Sequence, residues 1–256
     1  MLLQGYPNLE YIIIDGGSTD NSIEIIQKYE PWIAFWVSEN DKGQSDAIRK
    51  GFRKSTGGIL AWLNSDDMLE CNAILTGASY LQSHHDVGMV FGDRIIIDEN
   101  SEAIRYRRVK DFFNFQLRYS GQINQESAFW RRELYFNAGE LDTDLHYAMD
   151  YDLWWRLSKI NKIHHIPILM GRYRAHSTSK SVLVGDLATE SEMIQSWQEE
   201  SKIVRIRYLG RDSSRIEKKI LRIFRMFIIN IKSILGIYRR MYSKNQVLLK
   251  RSTGNK

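Results

Sequence analysis

The sequence holds a single cysteine, Cys71, among 256 residues. One thiol closes no internal disulfide and builds no Cys-rich zinc site, so a disulfide-stapled secreted domain is excluded. Long apolar runs are lacking as well. No stretch approaches the roughly 18 apolar residues that a bilayer-spanning helix needs. Gln4, Pro7 and Asn8 interrupt the opening apolar residues, so no secretory signal pattern is visible. No Gly-x-Gly-x-x-Gly turn follows a strand, which argues against a dinucleotide-dependent oxidoreductase. Internal repeats and low-complexity segments are absent too.

What remains is a globular composition, with 43% hydrophobic and 26% charged residues. Aromatics reach 12%, with 7 Trp and 13 Tyr, a supply of flat side chains suited to stacking on rings. The net charge of +5 hides two unlike parts. From Lys202 onward there are 16 basic and 2 acidic side chains, against 20 basic and 29 acidic before it. The expected division is therefore an enzyme-like acidic body over 1–201 and a basic helical extension over 202–256.

Along the body, Glu10 to Asp15 contains three consecutive Ile and ends in Gly-Gly-Ser, which reads as a buried strand feeding a turn. A helix follows from Asp20-Asn21-Ser22 to Tyr29, then a strand over Ile33 to Ser38 and a helix over Gln44 to Lys54. A third strand, Ile59 to Leu63, runs straight into Asn64-Ser65-Asp66-Asp67. Helix 72–83 and strand 87–92 come next. This alternation predicts an α/β fold with a mostly parallel sheet and helices on both faces. Beyond Gly92, segments 94–98 and 103–108 suggest a hairpin. A segment around 127–136, a helix from Asp150 to Lys159 and a strand near 163–169 complete the body.

Ligands of open parallel sheets bind beyond the carboxyl ends of the strands. Two acidic clusters fall there, Asp15 to Asp20 and Asn64 to Asp67. Such a pair suits a sugar nucleotide, one cluster holding base or ribose and the other a divalent cation on the diphosphate. Mg²⁺ and Mn²⁺ take oxygen ligands, often one or two carboxylates plus phosphate oxygens. The plainer alternative is two polar loops. Trp130, Trp154 and Trp155 are candidates for stacking on sugars, though aromatics near a helix start are more often core. His84-His85 and His164-His165 have no metal-ligand spacing.

Five blocks, in order, resemble family 2 glycosyltransferases. They are Ile12-Ile13-Ile14-Asp15-Gly16-Gly17-Ser18-Thr19-Asp20, then Asp41-Lys42-Gly43-Gln44-Ser45-Asp46-Ala47 with Gly51-Phe52. Next come Gly57-Gly58-Ile59-Leu60-Ala61-Trp62-Leu63-Asn64-Ser65-Asp66-Asp67 and Met149-Asp150-Tyr151-Asp152-Leu153-Trp154-Trp155-Arg156-Leu157. The last is Tyr173-Arg174-Ala175-His176 with Ser177, Ser179 and Ser181. The resemblance covers roughly residues 1–181. It implies a GT-A fold and transfer of a sugar from a nucleotide-sugar donor to an acceptor hydroxyl, with inversion and a metal, Mg²⁺ or Mn²⁺. It also implies that the chain opens at the tail of the family's first helix, without the usual first strand, leaving an unpaired sheet edge or groove.

By the same resemblance, Asp15 contacts the nucleobase. Asn64 and Asp66 stand in the Asp-x-Asp position, Asp66 as the metal ligand, with Asn64 replacing the first Asp and adding no charge. Asp150 is the general base, and His176 contacts the diphosphate or metal. Without the resemblance, Asp150 reads better as an N-cap of the helix that carries Leu153 and Leu157. Asp152, two residues on, points to another face of the helix. The implied setting is cell-surface polysaccharide or glycolipid synthesis on a glycan or lipid-linked acceptor, at the cytoplasmic face of a membrane. The alternative function is a non-catalytic sugar-nucleotide-binding or scaffold protein.

In the basic extension, Ile216, Ile220, Ile223, Phe224, Phe227, Ile231, Ile234, Leu235 and Tyr238 recur at helical spacing, with Lys218, Arg222, Arg225, Lys232 and Arg239 mostly opposite. This pattern fits a helix lying on an anionic membrane surface, or equally one packed on the body with a solvated basic face. No recognition motif for nucleic acid accompanies the charge.

Overall fold

The computed structural model describes residues 1–109, 112, 114, 117, 123–176 and 192–210. The basic stripe beyond Ser214 and the serines 177, 179 and 181 lie outside the described residues.

The first strand, β1 (Ile12–Asp15), runs parallel to β2 (Phe35–Ser38), Ile12 pairing with Phe35 and Asp15 with Ser38. Between them α1 (Ser22–Tyr29) makes the crossover. The second helix, α2 (Gln44–Lys54), occupies its expected span, and Gly51 lets it close on β1. A Cβ there would sit 3.4 Å from Ile14.

A second sheet carries β3 (Ile59–Leu60), β4 (Met68–Leu69), β5 (Val87–Ile97), β6 (Ala103–Arg107), β7 (Ala128–Arg131) and β8 (Lys162–Arg174). Its order is β3-β7-β5-β8-β4, with β6 paired to the far half of β5. The helices α3 (Ala73–Ser83), α4 (Arg132–Asn137), α5 (Met149–Ile160) and α6 (Glu192–Leu209) complete the described elements.

The fold class is α/β with helices on both sheet faces, as expected, but the sheet is mixed rather than mostly parallel. Only β1–β2 and β5–β8 are parallel among the described ladders, and β3–β7, β5–β7, β4–β8 and β5–β6 are antiparallel. The physical reason is β7. It enters antiparallel between β3 and β5, so these two strands never meet. The expected third strand shortens to Ile59–Leu60, and the expected strands at 87–92 and 94–98 fuse into one. Gly92 had read as a break. It is instead a close-packing point, where a Cβ would lie 2.5 Å from Met170 Cγ and the register with β8 slips.

Side-chain alternation on β7 splits the core. Ala128 and Trp130 join Phe52, Tyr135, Trp154 and Trp155 on the face covered by α2, α4 and α5. Phe129 joins Ala73, Ile74, Leu81 and Met170 on the α3 face. Trp130, Trp154 and Trp155 are fully buried, so they form core rather than a sugar platform. Truncating such a residue to Ala costs about 3–5 kcal/mol.

Helix α6 packs on α5. Helix α6 continues unbroken to Leu209, with Val204 and Arg205 buried and Tyr208 stacked on Trp155 at 5.7 Å. The compact unit ends at Arg211.

Candidate active site

A cavity of about 1660 Å³ opens along β1 and β3. Its wall includes Ile12 to Ile14, Ile59 to Asp67, Arg94, Glu126, Asp150, Tyr173 and His176. Among the described residues, β1 pairs only with β2 and β3 only with β7, so both leave an edge on this cavity.

Asp15 ends β1 and orders the turn after it. Its carboxylate accepts the Gly17 and Ser18 backbone N–H groups at 3.0 and 2.9 Å and the Ser18 and Ser38 hydroxyls at 2.5 and 2.6 Å. The Ser18 hydroxyl, then that of Ser38, hold its pKa down at about 2, so it is anionic at neutral pH. Gly17 needs its missing side chain for its left-handed backbone, whereas a Cβ on Gly16 would displace only the movable Asp41 carboxylate. A Cβ on Gly16 would lie 2.6 Å from Asp41 Oδ2, and Gly17 has φ 87° with Asn40 Oδ1 2.6 Å from its would-be Cβ.

The Asn64–Asp67 loop is held from three directions. Asn64 accepts the Gln44 amide at 2.6 Å and donates to Asp67 at 3.1 Å and to Gln125 at 3.3 Å. Gln125 in turn donates to the Trp62 carbonyl at 2.7 Å. From β8, the Arg174 backbone N–H donates to Asp67 at 3.0 Å and its guanidinium to the Asp66 carbonyl at 2.9 Å. Asp67 is buried, and desolvation, then the Glu126 charge, push its pKa up to about 7. Asp66 keeps its carboxylate at the cavity, and His176 Nε2 lies 3.0 Å from its Oδ2.

Thus Asp66 and His176 meet although 110 residues separate them in the chain. No group of three or more His, Cys, Asp or Glu side chains with metal-holding geometry occurs among the described residues. The pair therefore fits a cation only as a two-donor site whose other positions water and phosphate oxygens fill, an arrangement Mg²⁺ commonly accepts.

Asp150 sits in the first turn of α5, half-buried on the cavity wall. It is not the helix N-cap, which is Ala148 without a side-chain cap. The cap comes from elsewhere: Glu200 of α6 accepts the His146, Tyr147 and Ala148 backbone N–H groups at 2.7–3.1 Å. Among the described residues, the hydrogen bond to the Asp150 carboxylate comes from the adjacent Tyr151 N–H at 2.7 Å. Desolvation raises its pKa to about 6, and Arg94 offsets part of that rise. Such a carboxylate is ionised at neutral pH and still basic enough to take a proton.

Asp152 differs. It is fully buried, held by Arg156 at 2.7 and 2.9 Å, by Arg207 at 3.3 Å and by the Tyr208 hydroxyl at 3.0 Å.

The paired histidines serve packing and hydrogen bonding. His84 stacks on Tyr80, His164 bonds the Tyr80 hydroxyl, and His165 Nε2 lies 2.8 Å from Asp93. Sequence reasoning missed Gln44, Gln125, Glu126, Arg94 and Glu200. Gln44 and Arg174 stood inside quoted blocks without a role. Glu200 carried no local signal, because its partners are backbone groups about fifty residues away.

Residues 1–140 match the family described as Glycosyl transferase family 2. A glycosyltransferase of Rickettsia prowazekii is 28% identical over 194 residues, covering 71% of this chain and 60% of that protein. A PGL/p-HBAD biosynthesis glycosyltransferase of Mycobacterium bovis is 27% identical over 149 residues, covering 57% of this chain and 56% of the relative. The chain thus spans less than two thirds of these relatives. Among solved structures, S. aureus TarS 1–349 in complex with UDP aligns with TM-score 0.59 at 15% identity, covering 84% of this chain and 61% of that one. The mannosyltransferase PcManGT from Pyrobaculum calidifontis, in complex with GDP-Man and Mn²⁺, aligns with TM-score 0.51 at 16% identity, covering 100% of this chain and 81% of that one. These likenesses place the fold as GT-A.

Proposed function

The chain belongs to glycosyl transferase family 2, and from that premise we propose that it transfers a sugar from a nucleoside-diphosphate donor to an acceptor hydroxyl, with inversion, in cell-envelope polysaccharide or glycolipid synthesis. The observation that carries this reading is Asp150, a half-buried carboxylate with its pKa raised to about 6 on the same cavity as Asp66 and His176.

In this reading the nucleobase rests against the turn that Asp15 orders, and Asn64 braces the loop that carries Asp66. Asp66 and His176 are the residues that would hold Mg²⁺ or Mn²⁺. The cation, when bound, supplies positive charge to the leaving diphosphate. The acceptor oxygen attacks the anomeric carbon, the bond to the diphosphate breaks, and the hydroxyl proton passes to Asp150. A single displacement of this kind inverts the anomeric centre. Arg94 and the surrounding dry wall set how readily Asp150 gives up its charge.

Calorimetry with UDP and GDP, with and without metal, tests the donor site. A folded sample that binds neither refutes the reading, and Asp66→Ala should abolish the metal response. A donor site that binds while no sugar moves to any acceptor would favour the scaffold alternative.

No helix among the described residues is long and apolar enough to cross a membrane. The sequence pattern from Ser214 to Arg240 supports attachment to an anionic membrane surface, where each Lys or Arg adds about 1 kcal/mol. Co-sedimentation with anionic vesicles should fall as salt rises and should be weak on neutral ones. Equal recovery on both lipids would point to a helix packed on protein.

A further inference from the structure

Three arginines share one face of the β5–β6 hairpin. The antiparallel register sets Arg94 opposite Arg107 and Ile96 opposite Arg105. Side chains alternate between the faces of a sheet, so these four residues project to the same side. That side is the cavity. Arg94, Ile96, Arg105 and Arg107 line it together with Asp150, whereas Ile95 and Tyr106, on the other face, are absent from its wall.

Like charges placed directly opposite on a sheet repel. Arg94 is balanced: its Nη1 lies 3.4 Å from Glu126 Oε2, and its guanidinium sits 4.9 Å over the Tyr173 ring. Arg105 and Arg107 stand solvent-accessible on the wall. The row also runs against its surroundings, because residues 1–201 carry 29 acidic and only 20 basic side chains.

We propose that Arg105 and Arg107, backed by Arg94, bind phosphate groups of the acceptor, so that the acceptor is a chain containing phosphodiesters. The proposal rests on the sugar-transfer reading and names its acceptor class. Planar guanidinium forks match phosphate oxygens in pairs. Two residues along a strand separate Arg105 from Arg107 by about 7 Å, a row that suits an extended anion better than a single point charge. The hairpin shares its wall with Asp150, the group that takes the acceptor proton, whereas the donor diphosphate belongs with Asp66 and His176.

The test titrates the full chain with a short glycerol-phosphate oligomer, with a neutral maltooligosaccharide as control, and with UDP and GDP in separate runs. The oligomer should bind, more weakly as salt rises, and the control should not. Arg105→Met with Arg107→Met keeps side-chain length and removes both charges. It should weaken oligomer binding by about tenfold or more while UDP and GDP affinities stay within twofold, which also reports an intact fold. Arg107→Lys should fall between, because it keeps the charge and loses the fork. Failure of the wild-type chain to bind the oligomer overturns the proposal. So does an unchanged double variant, or a parallel loss of nucleotide affinity, which would give the arginines to the donor. Failure of UDP and GDP to bind the wild type while the oligomer binds would refute the donor reading instead.

Discussion

The two sides of α5 treat their carboxylates in opposite ways. On the cavity side, Asp150 is stripped of much of its water and, among the described residues, accepts a hydrogen bond only from a neighbouring backbone N–H. On the α6 side, two residues later, Asp152 is fully buried but gripped by Arg156, Arg207 and Tyr208. Burial alone therefore does not make a carboxylate a base. Burial without a close cation raises the proton affinity, while burial against guanidiniums consumes the charge in holding two helices together.

The largest effect expected from this contrast is on turnover. Asp150→Asn keeps the shape and removes the proton acceptor, so transfer should drop by about 10²–10⁴-fold, with donor affinity near normal. Asp152→Asn, measured per folded molecule, should lose only a few-fold. Equal losses in the two variants would erase the distinction between the sides of the helix.

Stability should show the reverse order. Asp152→Asn leaves Arg156 without its carboxylate and Arg207 with Asp142 alone, and should cost about 3 kcal/mol, read as a lower denaturant midpoint. An unchanged midpoint would mean that the α5–α6 seam does not depend on this charge.

The smallest effects are those of pH. Because Asp150 must be ionised to accept a proton, transfer should fall about tenfold per pH unit below a limb near 6 and level off above it. Its folded pKa lies above the unfolded value near 4, so the native state holds the proton longer than the unfolded chain. The wild type should therefore lose stability relative to Asp150→Asn as pH rises from about 4 to about 6, and no further above that, by an amount on the order of 2 kcal/mol. The two proteins should be equally stable below pH 4. A limb well below pH 5, or a stability gap that widens on acidification, would contradict the assigned environment.

Much of the site was legible because its signals are local. The Ile run before Asp15, the tight Gly16-Gly17 turn and the span of α2 follow from periodicity and backbone sterics within a few residues. The blocks around Asp66, Asp150 and His176 were equally readable. Other features were not. The antiparallel entry of β7 had only an unspecific segment at 127–136 to announce it. The passage of β5 through Gly92 looked like a break because its reason, Met170, lies far along the chain. The charge balance changes at Lys202, while α6 runs through that point to Leu209, so composition and helix period mark different positions.

The amino-acid sequence by itself determined the order of the elements and the turn chemistry at the ends of β1 and β3. Helical and strand periods and glycine sterics act over short stretches of chain, so they can be read without a fold. Only the tertiary structure decided which aspartate loses its water, that Glu200 caps α5 from another helix, and that three arginines turn to one cavity wall. Desolvation and cross-strand register arise from contacts between segments far apart in the chain, and no local pattern encodes them.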